Sequence, residues 1–321
     1  MTTLITGGSG FVGTHLREEL SRRGRPFSSF SSREHDLTDP AQADAAFAKA
    51  GPIDLILHLA CYQAAGEFPA RNPGAQFVVN NRIHLNVLEA WRRFAPSAPL
   101  VAVGSSCAYP SDLDALTEDR LMAGPIHGSV YSYAFTKRAL HTGLLAYNDQ
   151  YKLNGSYIIP PTLFGEFDDF HVDTAHVSGA LVGKFVAATQ NGGDVEIWGD
   201  GSQVREFLDV KDFVRALLDL APKLTREVLN VSPGRGTSIK VLAETIADAA
   251  HFPGRIVYNT SKYVGVKEKF LNVDRLRTVH GMELSPDIRA GLQRTVAWYG
   301  ANFDTVHGRR KFEGRAQPAR G

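Results

Sequence analysis

The stretch Thr3-Leu4-Ile5-Thr6-Gly7-Gly8-Ser9-Gly10-Phe11-Val12-Gly13 decides the fold. Four strand-forming residues run straight into three spaced glycines, and a helical pattern opens behind them. Gly7 suits a tight turn, Gly10 a close approach of backbone to a pyrophosphate, and Gly13 close packing of helix on strand. The helix then offers unpaired N–H groups and a favourable dipole to phosphates. Such glycines also fit a plain strand–turn–helix connection. Their place ahead of a repeating βαβ rhythm selects a dinucleotide site, with Phe11 and Val12 in the first helical turn.

Further apolar runs at 26–30, 55–59, 100–103 and 156–159 alternate with helical patterns at 12–22, 41–50, 80–93 and 133–151. This predicts an α/β protein with a Rossmann-type doubly wound parallel sheet, its ligands at the carboxyl ends of the strands. Beyond residue 160 the rhythm loosens into a polar loop, helices near 177–189, 213–220, 238–249 and 287–301, and a short strand at 196–198. We expect residues 1–160 to bind the cofactor. Residues 161–305 would form a smaller substrate-binding lobe with segments returning to the first domain. Residues 306–321 read as a disordered tail, Arg- and Gly-rich without apolar period.

Composition narrows the class. The 321 residues are 43% hydrophobic and 21% charged, as in a folded globular protein. Lys plus Arg (35) balances Asp plus Glu (34), so no global field favours nucleic acid or a membrane surface. A phosphate-bearing substrate must therefore meet local basic residues. Two cysteines are too few for a disulfide framework, and no long apolar run or leader pattern appears, so a cytoplasmic protein is expected. No metal-ligand spacing is visible.

The second strand runs into Phe30-Ser31-Ser32-Arg33. An acid at that tip would bind a free ribose 2′-hydroxyl; serines and Arg33 suit a 2′-phosphate, so NADP(H) is preferred, with NAD(H) left open. Asp36 and Leu37 are placed near adenine, and the backbone of His58-Leu59-Ala60 beside the pyrophosphate and ribose.

Catalytic chemistry is concentrated in Tyr133-Ala-Phe-Thr-Lys137. Four apart on a helix, Tyr133 and Lys137 share a face, whereas Tyr131 falls on another. An ammonium and a cationic nicotinamide are expected to lower the phenol's pKa and make it an acid–base group. Ser105, just beyond the fourth strand, can hydrogen-bond a substrate oxygen, and Ser106 competes for that role.

The glycine turn, the serine and the Tyr-x-x-x-Lys pair resemble the extended short-chain dehydrogenase/reductase family. Within it the chain is most similar to the GDP-L-fucose synthase branch, on Ser105-Ser-Cys-Ala-Tyr-Pro110, Phe164-Gly-Glu-Phe-Asp-Asp-Phe-His171, His176-Val177, Trp198-Gly-Asp-Gly201, Arg205-Glu-Phe-Leu208 and Lys269-Phe-Leu-Asn-Val273. The resemblance implies an NADPH-dependent reductase with 3- and/or 5-epimerase activity on a nucleoside-diphosphate 4-keto-6-deoxy sugar. It gives Cys107 and His176 the epimerisation roles, and both titrate near enough to neutrality to serve. It also implies cofactor contacts from Pro160, His176, Tyr133 and Lys137. Substrate contacts would come from Ser106, Thr162, Lys184, Trp198, Arg205 and Lys269, and the protein would be a homodimer. A core role for Trp198 is an equal alternative, and Asn80 is expected to brace the active-site backbone or a water in a proton relay. Cys61 lacks such a motif and reads as structural.

The chain departs from the branch pattern at Cys61-Tyr-Gln-Ala-Ala-Gly-Glu-Phe68, where relatives carry Gly-Gly, and at Pro160-Pro-Thr162 and Lys262-Tyr-Val-Gly265. These loops concern recognition, which points to a different nucleotide sugar. Two other readings compete: a redox-neutral 4-epimerase or dehydratase with bound NAD, and a non-catalytic NADP sensor. Ser106-Cys107 stands where dehydratases place Asp-Glu, which counts against dehydration.

Overall fold

A computed structural model describes residues 1–113, 115–262, 268 and 270–307. The tail expected at 306–321 lies mostly outside these residues, as does Lys269. Six parallel strands form the central sheet: β1 (Thr3–Thr6), β2 (Phe27–Ser29), β3 (Leu55–His58), β4 (Leu100–Val103), β5 (Gly155–Ile159) and β6 (Val228–Asn230). Their order is β6-β5-β4-β3-β1-β2. The chain steps from β1 to β2 in one direction and returns to β3 on the other side of β1. That reversal opens a crevice at the carboxyl ends of β1 and β3.

Every residue of β1, β3 and β5 is buried, as a sheet covered on both faces requires. The helices in chain order are α1 (Phe11–Arg22), α2 (Pro40–Lys49), α3 (Phe68–Arg71), α4 (Pro73–Phe94) and α5 (Tyr131–Tyr151), then α6 (Val177–Asn191), α7 (Val210–Leu220), α8 (Ile239–Ala249), α9 (Asp274–Thr278) and α10 (Arg289–Ala301). On one face Phe47 of α2, Val87 and Trp91 of α4 and Leu140 and Leu144 of α5 pack on Leu4, Ile56 and Leu100. On the other, Leu16 and Leu20 of α1 join Phe213, Val214 and Leu217 of α7 over Ile5, Leu57 and Val101. A third core joins α6, α8 and α10 through Phe185, Leu242, Leu292 and Tyr299.

Two-stranded ladders lie outside the central sheet. Thr162–Phe164 pairs parallel with Phe207–Asp209, Val195–Trp198 parallel with Ile256–Asn259, and Val204–Arg205 antiparallel with Thr237–Ser238. The helix expected at 80–93 begins at Pro73, where proline's fixed φ and missing N–H suit a first helical position. Sequence periodicity missed β6, a strand only three residues long. No helix among the described residues is long and apolar enough to cross a membrane.

Candidate active site

The glycine turn is built by contact with β3. Gly7 has φ +78°, and a methyl there would lie 2.8 Å from the Ala60 nitrogen and 3.0 Å from the Leu59 carbonyl carbon. Leu59 and Ala60 therefore present backbone directly against the turn. A methyl on Gly13 would meet the Gly8 Cα at 2.6 Å, so α1 can rest on the turn only with glycine there. Gly10 caps α1 without a side chain, and no acid occupies the first turn that holds Phe11 and Val12. The amides at this end thus face a site suited to an anion.

Ser29, at the end of β2, closes on Gly8, where a methyl would sit 2.6 Å from the Ser29 Cβ. Arg33 is exposed in the turn that follows. Glu34 beside it accepts from the Ser31 N–H at 2.7 Å and the Ser31 hydroxyl at 2.8 Å, which hold its carboxyl below the usual range. Asp36 accepts from the Thr38 N–H at 2.9 Å, and Leu37 is buried, its carbonyl bound by Asn86. Pro160 is buried at the end of β5, and Thr162 opens the next ladder.

Past β4, Gly104 packs on the Tyr157 ring and the chain enters a 3₁₀ turn, Ser106–Ala108. Ser105 caps this turn, its hydroxyl accepting from the Cys107 N–H at 3.3 Å. The same hydroxyl lies close enough to the Tyr133 phenol to favour its ionised form. Tyr133 is buried on the first turn of α5, whereas Tyr131 is 57% exposed, which separates the two candidates. Lys137 is buried one turn on, donates to the Val103 carbonyl at 2.8 Å, and lies 5.8 Å from the Tyr133 ring centre.

Two expectations need correction here. Burial pushes the Tyr133 phenol well above its ordinary value, with Cys61, Cys107 and Tyr157 adding to the rise and the Ser105 hydrogen bond opposing it. Desolvation outweighs the helping charge that the Tyr/Lys spacing suggested. Within the protein itself the phenol keeps its proton. Burial also lowers Lys137, partly offset by Cys61. Cys61 thus stands near enough to Tyr133 and Lys137 for its charge to bear on both, a placement that its lack of a local motif did not suggest. It follows the end of β3, which pairs with β4, the strand leading to Cys107.

His176 caps the N-terminus of α6 and is exposed. Its segment docks on the loop after β3: Ala65 N–H donates to Thr174 O at 2.7 Å, and Glu67 N–H to Asp173 O at 3.1 Å. Asn80 holds that loop at both polar atoms of one residue, accepting from Tyr62 N–H at 2.7 Å and donating to Tyr62 O at 3.0 Å.

Of the residues expected to meet the substrate, Thr162, Trp198 and Arg205 lie on the ladders, Lys184 on α6 and Ser106 in the turn after β4. Arg205 is half-buried, donates to the Val204 carbonyl at 2.7 Å, and is lowered by burial. Lys184 donates to the Glu196 carbonyl at 3.1 Å, and burial lowers it too. Trp198 is 56% exposed, which removes its core reading, and Lys262 lies 5.7 Å from a ring centre of its indole. Ser106 is half-buried beside Ser105.

Sequence reasoning missed a buried histidine pair under the site. His58 Nδ1 meets the Thr6 hydroxyl at 2.6 Å and its Nε2 meets His84 Nδ1 at 2.8 Å. Burial, aided by the Lys137 charge, pushes His58 down to about 3 and lowers His84 as well. Their signal was present: His58 ends a fully apolar strand, and His84 lies one helical turn beyond Asn80.

Residues 3–232 match the model of the NAD dependent epimerase/dehydratase family. The GDP-L-fucose synthase of Escherichia coli (strain K12) is 32% identical over 317 residues, covering 95% of this chain and 98% of that one. The GDP-L-colitose synthase of Yersinia pseudotuberculosis is 29% identical over 306 residues, covering 93% and 98%. A crystal structure of a GDP-L-fucose synthetase from Naegleria fowleri bound to NADP is similar with a TM-score of 0.87 at 27% identity, covering 95% and 94%. A match of that extent, on a sheet of this order, means that the chain belongs to the NAD dependent epimerase/dehydratase family.

Proposed function

We propose that this protein is an NADPH-dependent reductase, with 3- and/or 5-epimerase activity, acting on a nucleoside-diphosphate 4-keto-6-deoxy sugar. The observation that carries the reading is the meeting of Ser105, Tyr133 and Lys137 with the Cys107 thiol, beyond the carboxyl ends of β3 and β4. Relatives named as GDP-sugar synthases support the substrate class, and a structural neighbour bound to NADP supports the cofactor.

The residues fit NADP(H). The Gly7 turn and the uncapped start of α1 suit a pyrophosphate, and the Glu34 carboxylate is turned onto Ser31, leaving Arg33 for a 2′-phosphate. Lys137 and Tyr133 would face the nicotinamide ribose, with Pro160 and His176 along the same edge. Bound there, the nicotinamide supplies hydride to sugar carbon 4. Tyr133, protonated by its buried setting, donates to the oxygen on that carbon while Ser105 orients it. Lys137 stands ready to return a proton to the phenol. The ketone acidifies the hydrogens on its neighbours, and Cys107 and His176 remove and return them from opposite faces. Arg205, Lys184, Trp198, Ser106 and Thr162, with Lys269, would hold the diphosphate, base and sugar, in a lobe spanning 161–305.

We also read the chain as a cytoplasmic homodimer. Phe77, Val78 and Leu85 on α4 and Phe135 and Leu145 on α5 expose apolar surface along two long adjacent helices, and the Phe77 and Phe135 rings meet tilted, their centroids 5.8 Å apart.

The test is an NADPH-oxidation screen of 4-keto-6-deoxy sugars carrying GDP, CDP, UDP or dTDP, with product stereochemistry read by NMR. Tyr133→Phe should abolish oxidation while still binding NADPH. Cys107→Ser should lose solvent deuterium uptake beside the ketone. Turnover without net NADPH consumption would replace this reading with the redox-neutral one.

A further inference from the structure

The loop 61–68 is the place where this chain leaves its branch's pattern, and it is anchored unusually well. One end is fixed by Asn80, wholly buried on α4, which binds both the N–H and the carbonyl of Tyr62. The other end is fixed by Phe68, buried and edge-to-face with Tyr62 at 5.3 Å. Between them Gly66 adopts φ +58° and lies flat on the peptide after Asp173. A methyl at Gly66 would stand 2.7 Å from the Asp173 carbonyl carbon, closer still to its oxygen, and 3.2 Å from Thr174 N. All three atoms are backbone, so no side chain can swing aside to relieve the overlap.

The docked segment is itself stiff. Thr174 N–H and Ala175 N–H both donate to His171 O, at 3.0 and 2.8 Å, and His171 N–H donates to Asp169 Oδ1 at 3.0 Å. One residue beyond Ala175, His176 is the N-cap of α6. The path from the buried Asn80 to the His176 backbone is therefore continuous: Tyr62, Gly66, Asp173–Thr174, His176.

We propose that this loop positions His176, and that Gly66 is the positioning residue: its missing side chain sets how closely the 173–176 segment approaches the sheet edge that carries Cys61 and Cys107. The inference rests on the acid–base role given to His176 above and adds what places it. Hydride transfer depends on Ser105, Tyr133 and Lys137, which the loop does not hold through any of these hydrogen bonds. Inversion beside the ketone depends on His176, so displacement should separate the two reactions.

The experiment compares wild type with Gly66→Ala, Gly66→Asn, Glu67→Pro and His176→Asn. Asparagine tolerates positive φ but still carries a Cβ, so strain alone predicts rescue in Gly66→Asn, whereas contact with Asp173 predicts none. Glu67→Pro removes the N–H that bonds Asp173 O, together with an exposed ion pair to Arg71, at a residue whose φ of −82° is near proline's range. The first readout is the His176 imidazole NMR signal of the protein alone, assigned by its loss in His176→Asn. The second is deuterium uptake beside the ketone against hydride transfer, with the sugar selected in the NADPH screen. Both Gly66 variants should move the imidazole signal and cut deuterium uptake by on the order of 10²-fold, with NADPH binding intact and hydride transfer to an already inverted sugar unchanged. Glu67→Pro should do the same more weakly, and it decides the matter if the Gly66 variants do not fold. An unmoved imidazole signal, full rescue in Gly66→Asn, or equal loss of both reactions would overturn the proposal. Wild-type uptake in His176→Asn would instead sink the role of His176 itself.

Discussion

Glu206→Gln should change how stability depends on pH, in a direction that the buried setting of Glu206 fixes. Glu206 is 6% exposed; its carboxylate accepts from the Ser232 hydroxyl at 2.7 Å and from the Leu271 N–H at 2.8 Å. Burial outweighs these donors and pushes its pKa up to about 7 from an ordinary 4.5. In the unfolded chain the group loses its proton near 4.5; in the fold it keeps the proton until about 7. Between those values the folded state holds more protons, so stability falls as pH rises. The contribution is fully present below 4.5 and gone above about 7. The interval is worth about 3 kcal/mol. Glutamine keeps the shape and an acceptor for the Leu271 N–H, while its amide can donate to the Ser232 oxygen. It cannot ionise. Urea unfolding of both chains at pH 5, 6, 7 and 8 gives a difference curve in which all shared titrations cancel. The variant should gain on wild type by about 3 kcal/mol from the acid end to pH 8. A flat difference curve, or one that slopes the other way, would refute the reasoning that desolvation governs this carboxyl.

Two further perturbations follow from contacts already given. Gly7→Ala combines a positive φ with overlap against the Ala60 backbone, costing about 1–3 kcal/mol, and should weaken NADPH binding, measured by fluorescence titration alongside thermal unfolding. Leu85→Glu places a charge on the exposed apolar face of α4; if that face is the proposed dimer seam, sedimentation should show a dimer for wild type and a monomer for the variant, with unchanged circular dichroism.

What the sequence made legible was what periodicity and local chemistry encode. β1 and β4 were expected at their exact bounds, and α5 within two residues of its start, because apolar runs meet glycine or helical spacing there. The parts that escaped depend on neighbours remote in sequence. Cys61 joins the site because β3 lies beside β4, and no local motif records that pairing. Tyr133's proton affinity was misjudged because spacing reveals a nearby ammonium and says nothing of depth. Trp198 was more readable than it was taken to be. Val195 and Ile197 are buried while Glu196 and Trp198 face out, the alternation of a half-buried strand.

This contrast bears on where specificity resides. Ser105, Cys107, Tyr133 and Lys137 are carried by a strand end, a tight turn and the first turns of a long helix, all fixed by the central sheet. Arg205, Trp198 and Thr162 sit instead on two-stranded ladders, and the segments that depart from the branch pattern are 61–68, 160–162 and 262–265. Ladders of two strands tolerate altered length and composition more readily than a six-stranded sheet whose strands are buried on both faces. On the proposed function, the reaction would be held constant while the sugar or base changes. The loop at 61–68 joins two parts of the candidate site, since Cys61 stands near Tyr133 and Lys137 while its other end docks on Asp173 and Thr174, just ahead of His176. A change of substrate that requires His176 to move has its shortest structural route through that loop, and this is where the chain has diverged.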